Sequence, residues 1–94
     1  MHYRKILALQ KEYGFTDMQN NINNGLVWRM EGSVGREAMR LLESGVCMLP
    51  RELTKDAYGN YVTSRDRLPK GSKGTFQNSV KFWTAVLDGK IEID

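Results

Sequence analysis

Between Gly25 and Gly45 the chain reads GLVWRMEGSVGREAMRLLESG, and no other stretch restricts the fold as much. Val27, Met30, Val34, Ala38, Leu41 and Leu42 recur at spacings of three and four, which places them on one face of a helix. Gly32 and Gly35 interrupt that face, and each costs about 0.8–1 kcal/mol relative to alanine in a helix interior. The pattern therefore predicts a break near Gly32 and Ser33, with Ser33 capping a new helix from Val34 to Ser44. Gly45 supplies a left-handed residue for a Schellman-type end in which Val46 packs back on Leu41. Pro50 then prevents the helix from resuming.

Three further segments carry helix signals. Tyr3, Ile6, Leu7, Gln10 and Tyr13 form a stripe from His2 to Tyr13, with Leu9 off it and Gly14 as the stop. Thr16-Asp17-Met18-Gln19 reads as a capping box opening a short helix that ends near Asn24 and Gly25. Its four asparagines form helix poorly, so it needs burial of Met18 and Ile22. Thr75 caps a last helix, residues 76–88, whose stripe is Phe76, Val80, Trp83 and Leu87. Between these, residues 55–63 read as a hairpin with Gly59-Asn60 in a type II′ turn, and Ser64 to Gly74 as a polar loop. The alternation at Ile91 to Asp94 suits a short strand.

The 94 residues are expected to form one compact domain at 1–94, an α+β fold of three to four helices with one β-hairpin. Its expected core is Met18, Ile22, Trp28, Met30, Val34, Leu41, Leu42, Val80, Trp83 and Leu87, and the stripes of residues 34–44 and 76–88 are expected to face each other. One cysteine, Cys47, excludes an internal disulfide, and one histidine, His2, leaves no spaced ligand set for a metal. No apolar run reaches the roughly 20 residues that span a bilayer, and the N-terminus lacks a signal-peptide pattern, so a cytoplasmic protein without membrane contact is expected.

Charge is uneven. Residues 50–81 carry seven basic and three acidic side chains, a net of +4 within a total of +3. Tyr58, Tyr61, Arg65, Arg67, Lys70 and Lys73 cluster there, a combination suited to stacking bases and neutralising phosphates or to anchoring an acidic protein surface. The ordinary alternative is a solvated face with the tyrosines over the core. Gly32-Ser33-Val34-Gly35-Arg36 is a second candidate, because glycines let backbone N–H groups approach an anion and Arg36 can close on it. GSVGR is similar to the GxxG loop of KH domains, although the flanking strands of that fold are missing. Its ordinary alternative is helix-junction packing. No nucleophile–base–orienter set and no cofactor motif accompanies either candidate, which points away from an enzyme. Trp28, Trp83 and Cys47 are expected to pack in the core, and Glu31, Glu37 and Glu43 to be surface charges.

The segments Trp28–Arg36, Asp56–Arg65 and Lys70–Gly74 (W-x-x-EGS-x-GR, D-x-YGN-x-V-x-SR and KGSKG) resemble small accessory proteins of tailed phages and mobile elements. The resemblance implies a protein that binds and modulates one host protein, of which defence nucleases such as CRISPR effectors are examples, in the manner of an anti-CRISPR inhibitor. A nucleic-acid-binding accessory protein using GSVGR and the basic region 51–73 is the alternative. The mild positive charge departs from inhibitors that imitate acidic DNA.

Overall fold

Helical spacing and terminal punctuation carry through to the structure at four places. In the computed structural model, which describes residues 1–93, α1 spans Tyr3–Glu12, α2 Thr16–Asn23, α3 Gly32–Ser44 and α4 Phe76–Leu87. A 3₁₀ turn at Leu26–Arg29 joins α2 to α3, and a second at Arg65–Arg67 precedes α4. β1 (Thr54–Lys55) and β2 (Tyr61–Val62) pair antiparallel, Thr54 opposite Val62 and Lys55 opposite Tyr61. The result is a small α+β domain of four helices and one hairpin. Ile91 to Ile93 form no strand, and Asp94 lies outside the described residues.

Helix starts differ from the expected caps in two of three cases. At α4, Thr75 Oγ1 accepts from the Asn78 N–H at 3.2 Å, as its position predicts. At α2 the cap is Phe15, without a side-chain bond, and Thr16 is already helical. The Gln19 side chain that should complete the capping box is drawn into the interior instead. At α3 the helix takes in Gly32, Ser33 and Gly35, and the break falls two residues earlier, at Met30 and Glu31. Both glycines sit in the first turn, outside the helix interior to which the glycine penalty applies. Gly45 ends α3 at φ +100°, with its N–H and that of Cys47 both donating to the Leu41 carbonyl, at 3.2 and 3.1 Å, so the bond of the αL motif replaces the Schellman pair.

The core is centred on Ile6, Ile22, Val27, Ala38, Leu41, Leu42, Met48 and Trp83. Leu9 belongs to it, because α1 packs against both α2 and α4 and so buries a wider arc than one stripe. Met30 and Leu87 do not: they are 46% and 53% exposed, Met30 lying on the extended break and Leu87 on the last turn of α4. As expected, α3 and α4 meet, with Asn78 Nδ2 donating to the Leu42 carbonyl at 3.2 Å. Gly45 lies so close to α4 that a Cβ there would come within 2.6 Å of the Asn78 carbonyl oxygen.

Through the middle runs an irregular thread, residues 45–50, buried along its whole length. A buried backbone outside regular structure must find partners for its N–H and C=O groups. Side chains supply most of them. Ser79 Oγ donates to the Gly45 carbonyl at 2.7 Å, while Gln10 Nε2 and Trp83 Nε1 donate to the Val46 carbonyl at 2.9 and 3.2 Å. Gln19 donates to the Met48 carbonyl at 2.8 Å and accepts from the Met48 N–H at 3.0 Å, the two bonds a neighbouring strand would make. Its remaining valences go to Gln10 and Asn23, both at 2.8 Å, so this buried amide is fully satisfied. Leu49 completes the thread by donating to the Gly74 carbonyl at 2.9 Å.

The hairpin closes by its own chemistry. Asp56 and Asn60 pair through the Asp56 N–H and Asn60 carbonyl at 2.9 Å, and the Gly59 N–H donates to the Asp56 carbonyl at 3.1 Å. Gly59, at φ +80°, therefore ends a turn begun at Asp56, and the expected two-residue II′ turn is replaced by a three-residue loop. The Asp56 carboxylate decides this, accepting from the N–H groups of Tyr58 and Asn60 at 2.9 Å each.

Candidate functional site

Where the hairpin, the thread and α3 approach one another, their apolar side chains do not fill the space between them. Trp28 comes from the first 3₁₀ turn, Met39 and Leu42 from α3, Leu49 from the thread, Val62 from β2 and Leu68 from the segment after the second 3₁₀ turn. Together they wall a groove of about 530 Å³. Leu42 and Leu49 form its buried floor, whereas Met39 stands 48% exposed at its mouth. Gly74 closes one end at φ +88°, packed so tightly on Leu49 that a Cβ would meet its Cδ1 at 2.9 Å. A second hollow, bordered by Gly32, Gly35, Arg36 and Arg40, shares Trp28, Met39 and Glu43 with the first. Trp28 and Met39 are thus a ledge between two adjoining depressions.

The indole N–H of Trp28 is buried without an acceptor among the described residues. Trp83, in contrast, has its N–H bonded and its ring fully enclosed, with Phe82 edge-on at 5.1 Å and Tyr13 tilted at 5.6 Å. Of the two tryptophans expected in the core, Trp83 is at its centre and Trp28 is half-buried at its edge.

Electrostatics around the groove are asymmetric. Glu43 is paired with Lys73 at 3.4 Å, and Glu37 with Arg40 at 3.0 Å. The Asp56 carboxyl, held by the backbone N–H of Asn60 and then that of Tyr58, is kept below the usual carboxylate range. Among the described residues Arg36, Arg67 and Lys70 have no carboxylate within ion-pair distance. Lys55 lies over the Tyr61 ring, 4.9 Å from its centroid.

The structure separates the residues singled out from sequence. Tyr61 and Lys73 border the groove, and Arg36 borders the adjoining hollow. Tyr58 stands 90% exposed at the hairpin tip, and Arg67 and Lys70 are exposed on either side of Leu68 and Pro69. Arg65 is different. Its guanidinium donates to the Leu49 carbonyl at 2.9 Å and lies 5.1 Å from the centre of the Tyr3 ring, so it ties the loop to the body. GSVGR forms the first turn of α3, so the loop between helices that a KH-type clamp requires is not present there. Met39, Leu49, Val62 and Leu68 were not among the sequence candidates. A signal existed for Met39, an apolar residue off the buried stripe of α3.

The Cys47 thiol is buried, and burial pushes its pKa up to about 12, which keeps it protonated and unreactive. Among the described residues no three His, Cys, Asp or Glu side chains come together to hold a metal. No helix among the described residues is long and apolar enough to cross a membrane. No protein-family model matches this chain, and neither a curated protein nor a solved structure matches it.

Proposed function

We propose that the protein is a non-enzymatic binding module, a phage-type modulator of one host protein, and that the groove beneath Met39 is where it holds that partner. The observation that carries this reading is an open apolar depression of about 530 Å³ on a domain of 94 residues. A concave, mostly apolar hollow with a few polar groups at its rim is the usual form of a binding site. The surroundings support it. Tryptophan, tyrosine, arginine and methionine are enriched at protein interfaces, and Trp28, Tyr61, Arg36 and Met39 border the two hollows. Folding leaves the Trp28 N–H unpaired, so the isolated chain gains less from that ring than from Trp83.

A second reading, a nucleic-acid-binding accessory protein, is favoured by the exposed Tyr58 with Arg67 and Lys70. Affinity capture from host lysate, with and without nuclease, tests the two together with a Met39→Glu variant. Nuclease-resistant capture of one protein that falls about tenfold in the variant is the expected result. Capture that depends on nucleic acid and ignores Met39→Glu favours the second reading.

A further inference from the structure

We propose, resting on the protein-binding reading above, that residues 51–64 are a hinged flap whose swing off the Trp28 turn opens the groove to its partner. Its attachments define the hinge. The Arg65 N–H donates to the Pro50 carbonyl at 3.0 Å and the Arg65 guanidinium to the Leu49 carbonyl at 2.9 Å, so both ends of the segment are fixed at one place on the buried thread. Beyond that place, among the described residues, nothing from 51 to 64 is hydrogen-bonded to a helix or to the first 3₁₀ turn. The flap keeps its shape through its own strand pair and the Asp56 turn, and it rests on the body by side-chain packing. Val62 packs against the core, and Thr54 lies so close to Gly25 that a Cβ on the glycine would be 2.8 Å from the threonine Cβ.

The joint between flap and body is where polar satisfaction fails. The buried side-chain polar atoms left without a partner among the described residues are the Thr54 hydroxyl and the Trp28 indole N–H. One belongs to the flap and the other to the turn that Gly25 begins. An unpaired buried polar group disfavours the closed arrangement, and water satisfies it once the joint opens. Apolar burial therefore holds the flap down while desolvation works against it. Such a segment opens at a lower free energy than the core unfolds. Tyr61 and Val62 wall the groove from the flap side, so the same motion widens the groove and bares the Trp28 N–H as a donor.

Nitrogen-15 relaxation dispersion on the free protein tests the flap. The amides of Gly25, Thr54 and Val62 and the Trp28 indole N–H should share one exchange process on the microsecond-to-millisecond scale, with the Met48 amide and the Trp83 indole quiet. Thr54→Val keeps the shape and removes the orphan hydroxyl, so it should lower the open population about fivefold or more. Val62→Ala loosens the packing and should raise it by a similar factor, about fivefold. A partner that requires the open flap binds in proportion to the open fraction, so Thr54→Val should weaken capture of the lysate partner by the same factor. Flat dispersion at these probes, exchange that includes Met48 at the same rate, or an open population indifferent to Thr54→Val overturns the flap. Undiminished capture by Thr54→Val with fewer open molecules overturns its control of entry. Met39 stands on α3, outside the flap, so Met39→Glu should abolish capture and leave the exchange unchanged. Capture that ignores Met39→Glu refutes the groove and with it any entry to control.

Discussion

The thread at residues 45–50 and the hairpin at 54–62 both lack a larger sheet to join, yet their backbones are satisfied by different owners. The thread borrows: Gln10, Gln19, Ser79 and Trp83 reach it from three helices. The hairpin is self-contained: Asp56 holds its turn and two residue pairs hold its strands. A backbone supplied by distant side chains forms only when the helices have docked, so it is cooperative with the whole fold. One supplied by neighbours in sequence can open and close without disturbing the core. Cooperative stability and local opening thereby belong to different parts of one small domain, and the groove lies where the two parts meet.

The largest effect should come from removing a donor to the thread. Gln19→Ala leaves the Met48 N–H, the Met48 carbonyl and Gln10 without their partners, at about 1–3 kcal/mol for each buried orphan. A loss of about 3–5 kcal/mol is expected in denaturant unfolding, comparable with Trp83→Ala. An unchanged midpoint would mean that the thread does not depend on its borrowed bonds. Next is Gly45→Ala. The left-handed backbone and the approach to Asn78 together should cost about 2–4 kcal/mol, read as a lower melting temperature.

Arg65 sharpens the boundary between the two regions. It lies next to the hairpin but bonds to the thread, so Arg65→Ala should destabilise by about 1–2 kcal/mol. Lys70→Ala, on the same loop and exposed, should leave the melting temperature unchanged. A charge reversal that includes Arg65 along with Arg67, Lys70 and Lys73 should therefore lower the melting temperature, whereas one confined to Arg67 and Lys70 should not.

The smallest effect belongs to the hairpin. Asp56 has its folded pKa depressed by hydrogen bonds, so its contribution is present above the ordinary carboxylate value and fades as pH falls through the lower folded one. Amide resonances of Tyr58 and Asn60 should shift below about pH 4 while those of Met48 stay constant. Simultaneous movement of both sets would show that the hairpin is part of the cooperative core.

Most of the helical framework was legible in the residues. Spacings of three and four, Thr75 as a cap, and Gly14, Gly25 and Gly45 as stops depend on neighbours within a turn or two, and the structure keeps them. The misplaced details share one cause. Gln19 was assigned to the α2 cap because local hydrogen bonding favours it there. Tertiary docking offered it two bonds from Met48, 29 residues away, in a buried site where such bonds matter more. Leu9 looked peripheral for the same reason, since a second helix covering α1 is invisible in the spacing of α1 alone. The candidate site was half legible. Tyr61, Lys73 and Arg36 stood out by residue type, while the groove and the adjoining hollow they border did not, because the groove's walls come from segments spread between Trp28 and Gly74 that meet only in the folded chain.

By itself, then, the order of residues determined which four segments are helical and where they stop, which apolar side chains seek burial, that the charge excess falls in residues 50–81, and that a hairpin lies there. Only the packed chain decided that residues 45–50 would run through the core, that Arg65 would turn inward while Lys70 stayed free, and that Trp28 would sit at an edge and Trp83 at the centre. The division follows the range of the forces. Backbone conformation and helix capping are settled over a few residues. Burial, and the hydrogen bonds that burial makes obligatory, depend on segments that meet only after the chain has folded.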